Sequence, residues 1–393
     1  MNPLNHKWSR WPLYDPEEVG AVARVLESGC VNYWTGEEGH SFEQEFSSYC
    51  GVKHAIALAN GTVALELALR ALGVGAGDEV IVTARTFVAS ASAIVMVGAT
   101  PVFADVDRES QNITRDTIRE KITPKTRAVI AVHLAGHPCD MDPIMALAEE
   151  HEIKVIEDCA QAHGATYKGR KVGSLGHVAA FSFCQDKIIS TGGEGGMLLT
   201  DDDQVWQSGW EFKDHGKSRE AVFERKHPTG FRWLHDSIGT NWRMTEMQAA
   251  IGRLQLGKLD QWVAQRNSYA MLLNSKLSGC AALRCPTPSI DFLHAFYKYY
   301  IFFDESQLMP GWNQGRIIDA INQQGVFCQS GTCPLVNREQ AFSLLSADQE
   351  TNLPVAEELG RTSLMLLVDP SMTHAQMEMS AEVILDISAH AFQ

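Results

Sequence analysis

A single lysine, Lys187, stands in the stretch FSFCQDKIISTGGEGG that spans residues 181–196. An apolar run that reads as a buried strand precedes it, and a glycine-dense turn into another strand follows. A lysine so placed is a candidate Schiff-base former, because an amine in a desolvated loop loses enough basicity to attack a carbonyl. The competing reading is a solvated loop lysine. A carboxylate, Asp158, ends a second apolar segment, KVIEDCA. It must be hydrogen-bonded or paired there, because a bare buried ion is costly. A protonated pyridine nitrogen fits as its partner: the pair would keep the nitrogen cationic and make its ring an electron sink. The alternative is an aspartate that caps the next segment. Glu157 points to the opposite face of the strand and reads as structural.

Other residues could complete such a site. Asn60, Gly61 and Thr62 sit where a strand passes into a helix, so N–H groups and the positive helix end could meet a phosphate, or simply form a cap. Ser182, in FSF, could bind a phosphate oxygen. Phe87 could lie flat on a planar ring or pack in the core. Asn241, Arg243 and Glu246 precede a strongly amphipathic helix that Thr245 and Gln248 are placed to cap; Arg243 could take a substrate carboxylate or brace the fold. Tyr33 and Trp34 read as packed anchors rather than pocket walls, and the RKHPTGFRW cluster around Arg225 as a solvated loop. His133, His137 and His163 are not spaced as metal ligands, so no metal is assigned.

Elements that position these residues follow from periodicity. Residues 16–28 and 41–49 read as helices, and 31–39 as a loop between them. From His54 strands alternate with helices: HAIALAN, DEVIVTA, TPVFADVD, TRAVIAVH and KVIEDCA are strands, with helical segments between them. Strands that are continuous apolar runs separated by helices indicate an α/β fold with a mostly parallel sheet covered on both faces. Ligands of such sheets bind beyond the carboxyl ends of the strands. Residues 1–254 are expected to form this large domain, with its N-terminal helical segment. Residues 255–393 are expected to form a smaller α+β domain with strands at FYKYYIFF and GVFCQ.

The chain has 393 residues, with 33 basic and 48 acidic side chains and a net charge of −15. That balance argues against nucleic acid or an anionic membrane as partner. Nine cysteines without a CxxC pair fit reduced thiols and a cytoplasmic setting better than a disulfide framework. No apolar leader and no run of eighteen apolar residues is present, so secretion and membrane spanning are not expected.

Taken together, GT at Gly61 and Thr62, TF at Thr86 and Phe87, EDCAQAHGA from Glu157, FSFCQDK ending at Lys187, TGGEGG from Thr191 and NWRMTEMQAAIGRLQL from Asn241 resemble the DegT-type sugar aminotransferases. These motifs keep the family's order over most of the chain. The resemblance implies the fold-type I aminotransferase architecture, pyridoxal 5'-phosphate (PLP) as cofactor, and a homodimer with shared active sites. It makes Lys187 the lysine that binds the cofactor covalently, Asp158 the partner of the pyridine nitrogen, and Phe87 the residue stacked on the ring. Gln161 would contact the ring hydroxyl, Gly61, Thr62 and Ser182 the phosphate, and Asn241 the phosphate of the neighbouring subunit's cofactor. Dehydratase members carry histidine where Lys187 stands, so the resemblance is to the true aminotransferases.

The implied reaction moves the amino group of L-glutamate to a keto sugar for lipopolysaccharide or another bacterial surface polysaccharide. The candidate acceptor is 8-keto-3-deoxy-manno-octulosonate, giving 8-amino-3,8-dideoxy-manno-octulosonate. A nucleotide-linked 3- or 4-keto-hexose is the alternative. A different PLP reaction, or a regulatory protein on the same scaffold, are the remaining readings. The chain departs from the family pattern at TGGEGG and at Cys333 to Leu335, where a Tyr-Pro element is frequent.

Overall fold

The computed structural model describes residues 8–342 and 352–393. Helix α1 (Pro16–Ser28) has the predicted bounds because both ends are signalled locally. Asp15 and Glu18 form a capping box, and Gly29 closes the helix at φ 68°. Helix α2 (Glu38–Cys50) starts earlier than expected because its cap comes from far along the chain. Glu246 accepts hydrogen bonds from the N–H groups of Glu38 at 2.6 Å and Gly39 at 3.1 Å.

The central sheet has seven strands. In chain order they are β1 (His54–Leu58), β2 (Glu79–Thr83), β3 (Thr100–Ala104), β4 (Thr126–Val132), β5 (Lys154–Asp158), β8 (Val178–Ser182) and β9 (Gly196–Thr200). The small ribbon β6 (Thr166–Tyr167) and β7 (Arg170–Lys171) lies outside that sheet. The order is β1-β9-β8-β5-β4-β2-β3, and β9 alone runs antiparallel to its neighbours. Successive strand residues belong to opposite faces. Val80, Val82, Ile130, Ile156 and Ala180 pack on one side, while Ile81, Val129, Val155, Ala179 and Phe181 pack on the other. Helices α3 (Gly61–Ala71) and α4 (Val88–Met96) cover the first face; α2 and α5 (Met141–Glu150) cover the second. This is why the strands read as unbroken apolar runs.

A second, antiparallel sheet of β10 (Leu283–Arg284), β12 (Tyr299–Phe303), β13 (Cys328–Gln329) and β14 (Ser363–Leu366) has the order β10-β12-β14-β13. The expected strand at GVFCQ is confined to Cys328–Gln329. Strand β11 (Phe292–Leu293) pairs with β6, tying the second unit to the first. Helix α6 (Glu246–Leu277) links them as well. It opens with the expected Thr245–Gln248 capping box, packs Ala249 in the core of the large unit, and carries Tyr269, Leu273 and Leu277 into the core beneath the second sheet. The division expected at 254/255 falls inside this helix. No helix among the described residues is long and apolar enough to cross a membrane.

Candidate active site

Six of the seven strands run the same way, so their carboxyl ends open on one edge of the sheet. β1 delivers Asn60 to Thr62, β2 delivers Thr86 and Phe87, β4 the 133–136 turn, β5 Asp158 to Gln161, and β8 Ser182 to Lys187.

Asp158 is 5% exposed. Its Oδ2 accepts from the Ser90 hydroxyl at 2.7 Å and its Oδ1 from the Ala160 N–H at 3.1 Å. Ser90 in turn touches the Thr86 hydroxyl at 2.8 Å. These contacts fix one orientation of the carboxylate. Phe87, just before α4, is 61% exposed, so the core-packing reading fails for it. Gln161 accepts from the Ala135 N–H at 2.7 Å and so pins a residue held in the left-handed region at φ 56°.

The start of α3 presses on the end of β8. A Cβ on Gly61 would stand 3.0 Å from the Ser182 Oγ, and one on Gly196 would stand 2.9 Å from the Gly61 nitrogen. Asn60 caps α3 by accepting from Val63 N–H at 3.0 Å, so the cap reading holds for it, while Thr62 is exposed on the first turn.

Lys187 lies 4.9 Å over the Tyr297 ring and 4.0 Å from Asp186, and its carbonyl accepts from the Trp11 indole at 2.7 Å. Tyr297 donates its hydroxyl to Asp186. Burial works to raise the Asp186 carboxyl, but Lys187, Lys298 and that hydroxyl outweigh it and hold the group low. His163 is wholly buried between Phe181 and Phe183; burial, helped by the Lys187 charge, pushes its imidazole down to about 3. Sequence reasoning missed Ser90, Tyr297 and Trp11. Each comes from a segment whose local pattern says only helix, strand or loop.

The remaining candidates are structural or stand apart. Arg243 donates to the buried Asp214 at 2.6 Å, beside the Trp34 indole at 2.7 Å, so it braces the fold, and Trp34 is an anchor. Arg225 pairs with Asp236 at 2.6 Å on the surface. Asn241 is exposed, its backbone bridging to Asp214, and no contact joins it to Lys187 among the described residues. His133, Glu157 and Cys159 offer ligand atoms within 4.8 Å of one another. The polar atoms of His133 and Glu157 are already engaged. His133 bonds Glu157 at 2.9 Å and accepts from the Cys139 N–H, and Glu157 accepts from the N–H groups of Gly173, Leu175 and Gly176. Burial alone would raise Glu157, yet His133 and those N–H groups hold it low.

The sequence profile of the DegT/DnrJ/EryC1/StrS aminotransferase family matches residues 12–384. The chain belongs to that family. It is 38% identical over 371 residues to the GDP-perosamine synthase of Caulobacter vibrioides, covering 93% of this chain and 94% of that protein. The crystal structure of an aminotransferase from Psychrobacter cryohalolentis is 51% identical, with a TM-score of 0.95 over 98% of this chain and 99% of that one. A putative sugar aminotransferase of Streptococcus pneumoniae in its PMP form is 25% identical, with a TM-score of 0.88 over 98% of this chain and 99% of that one. This aminotransferase therefore has the fold and the PLP cofactor of its family. Its own residues fit that cofactor: a cradle at Gly61 and Ser182 without room for a Cβ, a buried carboxylate, and an exposed aromatic ring at one sheet edge.

Proposed function

We propose that this aminotransferase moves the amino group of L-glutamate to a keto sugar destined for a bacterial surface polysaccharide. In that reading Lys187 binds PLP, Asp158 meets its ring nitrogen, Phe87 lies against its ring and Gln161 meets its hydroxyl. Gly61, Thr62 and Ser182 hold the phosphate. Asn241 serves the cofactor of a second copy, and the exposed Phe231, Trp233 and Ile238 on the adjoining excursion are apolar surface for that copy to cover. PLP, when bound, supplies the electron sink that lets an α-carbon lose its proton.

The chain's residues do the rest. Lys187 Nζ, released when the donor binds, takes the proton from the donor's α-carbon and later returns one to the acceptor's carbon. Ser90 and the Ala160 N–H hold the Asp158 carboxylate in one orientation, aimed at the ring nitrogen it would pair with. The observation that carries this reading is the buried, doubly hydrogen-bonded Asp158 at the same sheet edge as Lys187.

For the acceptor, the family resemblance and the relative named GDP-perosamine synthase favour a nucleotide-linked keto-hexose. 8-Keto-3-deoxy-manno-octulosonate is kept as a second reading because Lys298 and Arg266 gather with Lys187 around Tyr297, which suits an acidic sugar. An absorbance spectrum of the purified protein tests the core of the proposal. A yellow band that bleaches with glutamate, and is missing in Lys187→Ala, is the expected result. A protein that stays colourless with added PLP would sink it.

A further inference from the structure

Lys298 is left unused by the mechanism. It follows Tyr297 on the segment entering β12, so the second sheet delivers it to the Lys187 site. Both ammonium groups stand over one ring, Lys187 Nζ at 4.9 Å and Lys298 Nζ at 4.6 Å from the Tyr297 centroid. Among the described residues Lys298 Nζ has no hydrogen bond and no ion pair within 4.0 Å. A third cation backs it. Arg266 is wholly buried over the Trp11 ring, gives Nη1 to the carbonyls of Phe296 and Tyr297, and has no hydrogen-bond partner for Nε and Nη2 among the described residues.

The anions nearby are already engaged. Asp186 holds the Tyr297 hydroxyl, and Asp369 accepts from Ser9 and Ser371. Burial pushes Lys298 down to about 8, with Asp186 and Asp369 opposing and with Arg266 and Lys187 adding to the shift. Positive charge gathered around the wholly buried Arg266 and the half-buried Lys298 is costly until an anion arrives. Lys298 also lines a cavity of about 380 Å³ between the 107–114 and 137–140 turns and the 286–300 segment. Asp107, Glu109 and Asp140 line it too, and Lys298 is the single lysine or arginine among its described lining residues, so an anion entering it has that ammonium to meet.

We propose that Lys298 receives a carboxylate of the substrate, at the seam between the two sheets and beside the reacting lysine. The inference rests on the aminotransferase reading above. It names a carboxylate because an amino-acid donor must bring one to Lys187 in every turnover. The donor's second carboxylate and the acid group of an acidic keto sugar are the two sources.

Calorimetric titration of the PLP-loaded enzyme with two unreactive probes, glutarate and 3-deoxy-manno-octulosonate, separates them. At least one probe should bind the wild type and bind Lys298→Met about tenfold more weakly or worse, with Lys298→Arg between the two. A loss confined to glutarate assigns the donor, and a loss confined to the octulosonate assigns the acceptor. A wild-type comparison of glutarate with its neutral diamide needs no variant and should show a similar preference for the acid. Equal binding to wild type and Lys298→Met, or no binding of either probe to the wild type, overturns the proposal. The wild-type absorbance response to glutamate is read separately, so failure of the transamination reading is not confused with failure of this one.

Discussion

A Cβ on Gly61 would stand 2.9 Å from the Cα of Ser182 and 3.0 Å from its Oγ, so the start of α3 and the end of β8 meet with no space between them. Gly61→Ala must push these two elements apart. We expect a loss of about 1–3 kcal/mol in the stability of the cofactor-free protein, together with weaker retention of PLP. Urea unfolding and a PLP titration check the two effects.

Asp158 and Ser90 should differ sharply in weight. Asp158→Asn keeps the size of the side chain but removes the charge. Its half-reaction with glutamate, followed by the bleaching of the yellow band, should slow about a hundredfold or more. Ser90→Ala removes the hydroxyl's contacts with Asp158 and Thr86 but leaves the carboxylate and its Ala160 N–H partner in place, and should slow it less than about tenfold.

Phe87 is 61% exposed in the chain itself, so Phe87→Ala should change the stability of the cofactor-free protein by no more than about 0.5 kcal/mol while weakening PLP binding. A large drop in cofactor-free stability would assign the ring to the core.

Lys213 is wholly buried, its Nζ 3.5 Å over the Tyr33 ring and 3.9 Å from Glu43, with no hydrogen-bond partner among the described residues. Burial pushes it down to about 8, against Glu43 and Asp214 and with help from Arg243 and Lys217. An unfolded lysine titrates at about 10.4, so between about pH 8 and that value the unfolded chain binds more protons than the folded one, and stability rises with pH. In Lys213→Met this rise should be shallower, with no loss of stability at neutral pH. Lys298, shifted in the same direction, accounts for a remaining slope. Denaturant titrations of both proteins across that window decide it.

If Asn241 completes the site of a second copy, inactive Lys187→Ala and weakened Asn241→Ala chains should rescue each other. Random mixing of the two after dissociation should restore roughly a quarter of wild-type turnover, since half of the dimers are mixed and each holds one whole site. Activity no higher than the sum of the separate variants would place Asn241 outside any shared site.

Much of the scaffold was legible along the chain. The bounds of α1 and the capping box of α6 follow from Asp15, Glu18, Gly29, Thr245 and Gln248, because caps act within a single turn. The start of α2 is not legible locally, because its cap, Glu246, lies far away in sequence. Lys187, Asp158 and Gly61 could be singled out because each ends an apolar strand or opens a helix, and a parallel sheet gathers such ends.

What the sequence by itself determined is therefore which segments become strands and helices and which reactive side chains stand at their ends, since periodicity and capping act over a few residues. Only the tertiary structure decided which of those ends meet. The strand order, with β9 reversed beside β1 and β8, sets Gly61 against Ser182. The docking of the second sheet brings Tyr297 and Lys298 to Lys187. The fold of the 213–243 segment gives Arg243 to Asp214 rather than to a ligand. These pairings come from packing between distant segments, which no local period encodes.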